Sequence, residues 1–268
     1  MSAPERCMDV LGRLVEAAPV GLPLTRLADA LGAPKSAVHR LLQALTEQGF
    51  VRQDPATQHY VATLRLATLG FRLLEAQGAA DACQPALVAL ATKADAFARL
   101  AVVEGERIAY VARAQGARTS LRYEPVMGRP VRLHATATGK VWLASLPEET
   151  ALRLWAAQAQ GQESLPVGPR AITTRAALRS ELRATRTRGW GMAIEEGEAG
   201  VSAMAASIRP AASGGAVAGV VSLAAPSLWL TEARMQRLLP HLLRTAAEMA
   251  ELWPLRARIA HPEPLETA

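Results

Sequence analysis

Two groups of residues in this sequence carry chemistry, and neither has the make-up of an active site. The first is a stripe. Ser36, Arg40, Gln43 and Glu47 recur at helical spacing, with His39 at the border, opposite the apolar set Val38, Leu41, Leu42 and Leu45. Arg and Gln can pair bidentately with base edges in a DNA groove, whereas Lys35 and Ser36 suit phosphate oxygens. Arg52, a little further on, adds another cation to the same module. The second group is a surplus of positive charge. Arg107, Arg113, Arg118, Arg122, Arg129, Arg132 and Lys140 stand between residues 107 and 140 against Glu124 alone, an excess equal to the net charge of +6 of the whole chain. Residues 1–75 are nearly neutral, with eight Lys/Arg and seven Asp/Glu. The basic stretch is either a solvated face or a site for an anionic ligand, since a planar guanidinium fork matches a carboxylate.

These residues need elements to hold them. Leu24, Leu27, Ala28 and Leu31 form one apolar helical face, and Val38, Leu41, Leu42 and Leu45 form a second. Gly32 stands where a helix end favours positive φ, and Pro34 is placed to open the next helix. The pair reads as a helix-turn-helix, whose second helix can enter the major groove. A first helix over 5–17 precedes it. Strand-like runs around Asp54-Pro55 follow it and predict a hairpin wing. Leu64 to Gln77 is a helix apolar around most of its circumference, so it needs burial, most naturally against the same helix of a second subunit. Gly78-Ala79-Ala80 is expected to loosen the chain there. Beyond it the pattern predicts a helix over 85–96, a hairpin over 100–111, a helix over 135–146, a loop over 156–171 and a helix over 174–189. Strands near 190–195, 201–208 and 216–224 follow, then a final helix from Thr231 to Leu252. Such an order implies an α+β sheet domain covered on one face.

Composition sets further bounds. A chain of 268 residues, half of them hydrophobic, suits two domains with a sizeable core. No apolar run reaches the ~18 residues a membrane span needs, and the N-terminus lacks the apolar stretch of a signal peptide. Cys7 and Cys83 lie far apart and outside any metal or redox motif. The expectation is a reduced, cytoplasmic protein without membrane contact. The five histidines show no metal-ligand spacing. His134 fits a cap or hydrogen-bonding role better than catalysis. Ser120 and Ser222 lack a nucleophile elbow. No catalytic residue, metal or cofactor is therefore expected.

The N-terminal segment, the stretch Leu133-His134-Ala135-Thr136-Ala137-Thr138-Gly139-Lys140-Val141-Trp142-Leu143-Ala144, and Arg188-Gly189-Trp190 running to Gly200-Val201-Ser202-Ala203-Met204-Ala205-Ala206 together resemble the IclR-type bacterial transcriptional regulators, in that family's order and over nearly the whole chain. The resemblance implies a winged helix-turn-helix DNA-binding domain over 1–63, a linker and dimerisation helix over 64–80, a GAF-like effector-binding domain over 81–254 and a frayed tail over 255–268. It implies a regulator, repressing a catabolic operon, that binds double-stranded DNA at a roughly palindromic operator as a homodimer or dimer of dimers and senses a small organic acid. In that family the pocket is lined from positions matching Ala137, Thr138, Ala203, Ser222 and Ala224. Alternation independently puts Ser222 and Ala224 on one strand face. Small faces of this kind either leave room for a ligand or pack closely against a helix. Arg122, in a strand-like Leu121-Arg122-Tyr123, is the expected carboxylate partner, with Met127 beside the body of the ligand. The alternative is a sensor or enzyme domain whose winged helix makes protein contacts.

Overall fold

The computed structural model describes residues 2–161 and 167–257, and it divides between Leu73 and Leu74 into two compact units. In the first unit, helix α1 (Ala3–Glu16) opens with a reciprocal cap. The Ser2 hydroxyl accepts from the Glu5 amide while the Glu5 carboxylate accepts from the Ser2 amide at 2.7 Å. Helix α2 (Leu24–Leu31) ends at Gly32, whose φ of 55° lies in the left-handed region, and α3 (Lys35–Glu47) follows after a tight turn. Pro34 takes the cap position of α3 rather than its first turn. Strands β1 (Val51–Gln53) and β2 (Tyr60–Ala62) pair antiparallel as the wing. Its tip is fixed by Asp54, whose carboxylate accepts from the amides of Ala56 and Thr57 at 3.0 and 2.9 Å. Val10, Leu14, Leu27, Leu42, Val51 and Tyr60 form the core.

Helix α4 (Arg65–Gln77) crosses the division between the units and has no buried residue. Leu64 is 83% exposed and Phe71 70%. The chain does not loosen after it, because Ala79 and Ala80 already belong to helix α5 (Ala79–Ala94). Gly78 alone, at φ 65°, separates the two helices.

The second unit is a five-stranded antiparallel sheet of β3 (Phe97–Glu104), β4 (Arg107–Gln115), β5 (Gly191–Ile194), β6 (Val201–Ile208) and β7 (Gly219–Pro226), ordered β4-β3-β7-β6-β5. Helices cover both faces, which corrects the expectation of one covered face. Helix α5 and helix α9 (Glu232–Ala257) pack Leu87, Leu90, Met235 and Leu242 against Leu100, Met204, Val221 and Leu223. On the other face α6 (Ala137–Ser145), α7 (Glu148–Gly161) and α8 (Arg175–Arg188) pack Val141, Leu143, Leu152, Leu178 and Leu182 toward Ala205 and Val220. Central β7 is accordingly buried from Gly219 to Ala225, as a strand covered on both sides must be.

Three further expectations are corrected. Residues 156–161 continue α7 instead of starting a loop, and Gln158 there clamps the chain, accepting from Leu133 N at 2.8 Å and donating to the Val131 carbonyl at 2.9 Å. Leu121-Arg122-Tyr123 is irregular chain, so strand alternation does not orient Arg122. Helix α9 runs to Ala257, past the expected end at Leu252 and through the first part of the expected frayed tail, whose residues 258–268 lie outside the described residues. Thr231 does cap that helix, accepting from Arg234 N at 3.4 Å.

Candidate DNA-reading face and ligand cavity

Helix α3 separates its residues as the sequence pattern requires. Val38, Leu42 and Leu45 are buried, whereas Lys35, Ser36, His39, Arg40 and Gln43 are exposed. Gln43 donates to Glu47 at 3.3 Å, a contact between exposed side chains that a base edge can replace. Arg52 on the wing is exposed and lies 3.6 Å from Asp54. Extended side chains on a helix held from beneath by a small core are the arrangement with which helix-turn-helix proteins enter a groove.

The second unit holds a cavity of ≈ 700 Å³ between the sheet, the start of α6 and the segments around 122–132 and 197–199. Arg122, Ala137, Thr138, Ala203, Ser222 and Ala224 line it, and Met127 is not among its lining residues. The cavity exists because the facing side chains are small. Ala203 on β6 pairs with Ala224 on β7, and Ala137 opens α6 above them. The helix is set by Thr136, whose hydroxyl accepts from Gly139 N at 3.0 Å; His134 is therefore not the cap. Gly139 and Gly191 permit the close approach. A Cβ on Gly139 would sit 2.5 Å from the Leu133 Cα, and one on Gly191 would sit 2.6 Å from the Ala137 carbonyl oxygen.

The basic surplus is not one patch. Arg107 and Arg113 are exposed on β4, and Arg118 lies 3.8 Å from Asp95. Arg122 is half exposed and lies 3.1 Å from Glu124. Arg132 donates to the Gly197 carbonyl at 2.8 Å. Lys140 is 1% exposed, and its Nζ donates to both Glu196 oxygens at 2.7 and 2.9 Å with Glu181 at 3.3 Å. Glu181 also receives Arg188 at 3.1 Å. The neighbouring acids Glu195, Glu196 and Glu198 have separate places. Glu196 is the partner of Lys140, Glu198 lines the cavity, and Glu195 accepts from Gly200 N at 3.1 Å. Burial pushes the Glu196 carboxyl up, an effect opposed by Lys140. Burial, with Arg132 and Lys140 nearby, pushes the His134 imidazole down and keeps it neutral. The Cys83 thiol is pushed up to about 11 by its burial and stays protonated.

Sequence reasoning missed Arg99, Tyr110 and Tyr123, which line the same cavity. Arg99 was legible as a lone cation beside the apolar run Leu100-Ala101-Val102-Val103, but the strand begins at Phe97, earlier than the run suggests. Among the described residues no cluster of His, Cys, Asp and Glu could hold a metal ion, and no helix is long and apolar enough to cross a membrane.

Comparison with known proteins fits both halves. Residues 3–55 match the IclR helix-turn-helix domain, and residues 71–251 match the bacterial transcriptional regulator IclR C-terminal domain. The Escherichia coli transcriptional regulator XynR is 29% identical over 204 residues, covering 75% of this chain and 77% of that protein. The Escherichia coli DNA-binding transcriptional repressor YiaJ is 29% identical over 187 residues, covering 70% and 66%. The crystal structure of an IclR transcriptional regulator from Alicyclobacillus acidocaldarius shares the fold with a TM-score of 0.76 at 22% identity, covering 94% of this chain and 98% of that one. A winged reading helix in one unit, a cavity-bearing sheet in the other and family models matched in that order across most of the chain lead to one assignment: the chain belongs to the IclR family of DNA-binding bacterial transcriptional regulators.

Proposed function

We propose that this chain is a cytoplasmic, ligand-responsive repressor of a catabolic operon. It reads a roughly palindromic operator as a homodimer or dimer of dimers, and a small organic acid in the cavity sets its affinity for DNA. The observation that carries this reading is the pairing of an exposed polar α3 face with a cavity whose wall is rich in arginine. Arg40 and Gln43 would contact base edges, and Lys35, Ser36, His39 and Arg52 would sit at the border or on phosphates. The exposed apolar α4 supports a second copy as its cover, and a two-fold protein favours a two-fold operator. The relative named a repressor supports the sign of regulation.

The ligand would lie on Ala137, Ala203 and Ala224, with Thr138 and Ser222 offering hydroxyls and the half-exposed Arg122 at the rim. This apolar floor favours an aromatic or short aliphatic acid over a sugar. To regulate, the acid must bind the DNA-competent and incompetent states unequally, because equal affinity shifts no population. The test is a gel shift on the DNA upstream of the chain's own gene, with and without a panel of organic acids. Specific retention that one acid changes is the expected result; retention that no acid alters would overturn the sensing half of the reading.

A further inference from the structure

Two polar atoms in the cavity wall have no partner. Arg99 Nε is buried and makes no hydrogen bond, and Tyr110 Oη is buried in the same condition. Among the described residues no Asp or Glu forms an ion pair with Arg99. Its guanidinium is instead held by aromatic rings, 3.8 Å from the Tyr110 centroid and 6.0 Å from that of Phe97. Arg99 and Tyr110 come from the adjacent strands β3 and β4, and both line the cavity. Ser222 is the register partner of Arg99 on β7 and lines it too. Buried polar atoms are nearly always satisfied, and leaving a donor unmade costs stability. Two such atoms on one cavity wall, one of them on a cation, mark the place of a missing acceptor. The arginine expected from sequence to supply this contact, Arg122, is half exposed and already lies beside Glu124.

We propose that Arg99 and Tyr110 are the anion-binding subsite of the cavity. Arg99 Nε–H and Tyr110 Oη–H donate to the oxyanion of a carboxylic acid, whose apolar body rests on Ala137, Ala203 and Ala224. The inference rests on the organic-acid reading above and gives it a specific residue. A cation stacked on a ring and lacking a counter-ion gains most from a charged acceptor, so a neutral isostere should be rejected. A phosphate ester shares this chemistry, and the experiment separates the two sources.

Full-length protein is titrated by calorimetry with benzoate, butyrate, benzamide and phenyl phosphate, and melting temperatures are read alongside. At least one carboxylate is expected to bind while benzamide does not. Arg99→Met should weaken that acid by roughly thirty-fold or more, Tyr110→Phe by about five-fold, and Arg122→Ala by less than about two-fold. Ligand-free Arg99→Met should melt close to the parent, because the side chain is only partly buried and its Nε makes no hydrogen bond to lose. Preference for phenyl phosphate over benzoate, lost in Arg99→Met, keeps the subsite and assigns it to phosphate esters. An acid that binds Arg99→Met as tightly as the parent overturns the subsite and leaves the acid reading standing. Benzamide binding as tightly as benzoate, or no anion binding at all, overturns both. A large fall in melting temperature for Arg99→Met makes Arg99 a packing residue and also overturns the subsite.

Discussion

On α3, Lys35, Ser36, His39, Arg40 and Gln43 all face solvent, and the core beneath is made by other residues of the same helix. In the cavity unit some polar groups are withdrawn instead. Lys140 is fully buried on an ion-pair cluster, and Arg99 and Tyr110 sit in the sheet with unpartnered atoms. The reading face can therefore change its chemistry at little cost to folding, whereas a polar substitution around the cavity is also a change in stability. The difference follows from the partners. A duplex can be met by an exposed helix, while a small molecule must be enclosed by groups already deprived of water.

The sharpest test of that contrast is Lys140→Met. It leaves Glu196 buried without its cation and should destabilise the protein by about 3–5 kcal/mol in urea denaturation. The pH dependence has a defined sign. Glu196 has its pKa raised by burial, and losing Lys140 raises it further, so the folded variant holds this proton more tightly than the unfolded chain. Its stability deficit relative to the parent should be smallest at low pH and grow as pH rises through the folded pKa. A deficit independent of pH would mean that Glu196 does not carry the effect.

Next in size is Phe71→Ser on α4. If a second copy covers this helix, the change removes roughly 1.5–3 kcal/mol of association per buried side chain, seen in light scattering as a shift toward monomer, while urea stability of the monomer stays unchanged. Arg40→Ala and Gln43→Ala should each cost about 1–3 kcal/mol of operator affinity and leave the melting temperature in place. Lys35→Ala and Ser36→Ala should weaken all sequences alike. A fall in melting temperature with Arg40→Ala would break the proposed separation of reading from folding. The smallest effect belongs to Arg122→Ala, whose half-exposed pair with Glu124 is worth no more than about 1 kcal/mol in stability.

The sequence was most readable where each side chain has one environment. In α2 and α3 the apolar and polar stripes separate cleanly, and Gly32 marks the turn. The strands were found, but their layering was not, because small residues such as Ala203, Ala205 and Ser222 satisfy both a packed and an open face. Arg122 was favoured by local alternation in a segment that forms no strand. Arg99 was passed over because its strand neighbours are what reveal its environment, and those come from residues 110 and 222. Lys140 was grouped with the basic surplus, as solvated face or anion site, because its counter-ions, Glu181 and Glu196, lie 41 and 56 positions away. Spacing along a chain shows periodicity; it does not show which distant acid closes on which base.

Gly78 carries a consequence of a different kind. Helix α4 ends at Gln77 and α5, whose Cys83, Leu87 and Leu90 are locked in the core, begins at Ala79. The covalent path from the sheet to the exposed helix therefore narrows to the two torsion angles of one residue, held at a positive φ that other side chains rarely adopt. Any residue with a Cβ would be strained at this φ, so the junction between α4 and α5 is specified by backbone conformation rather than by a side chain.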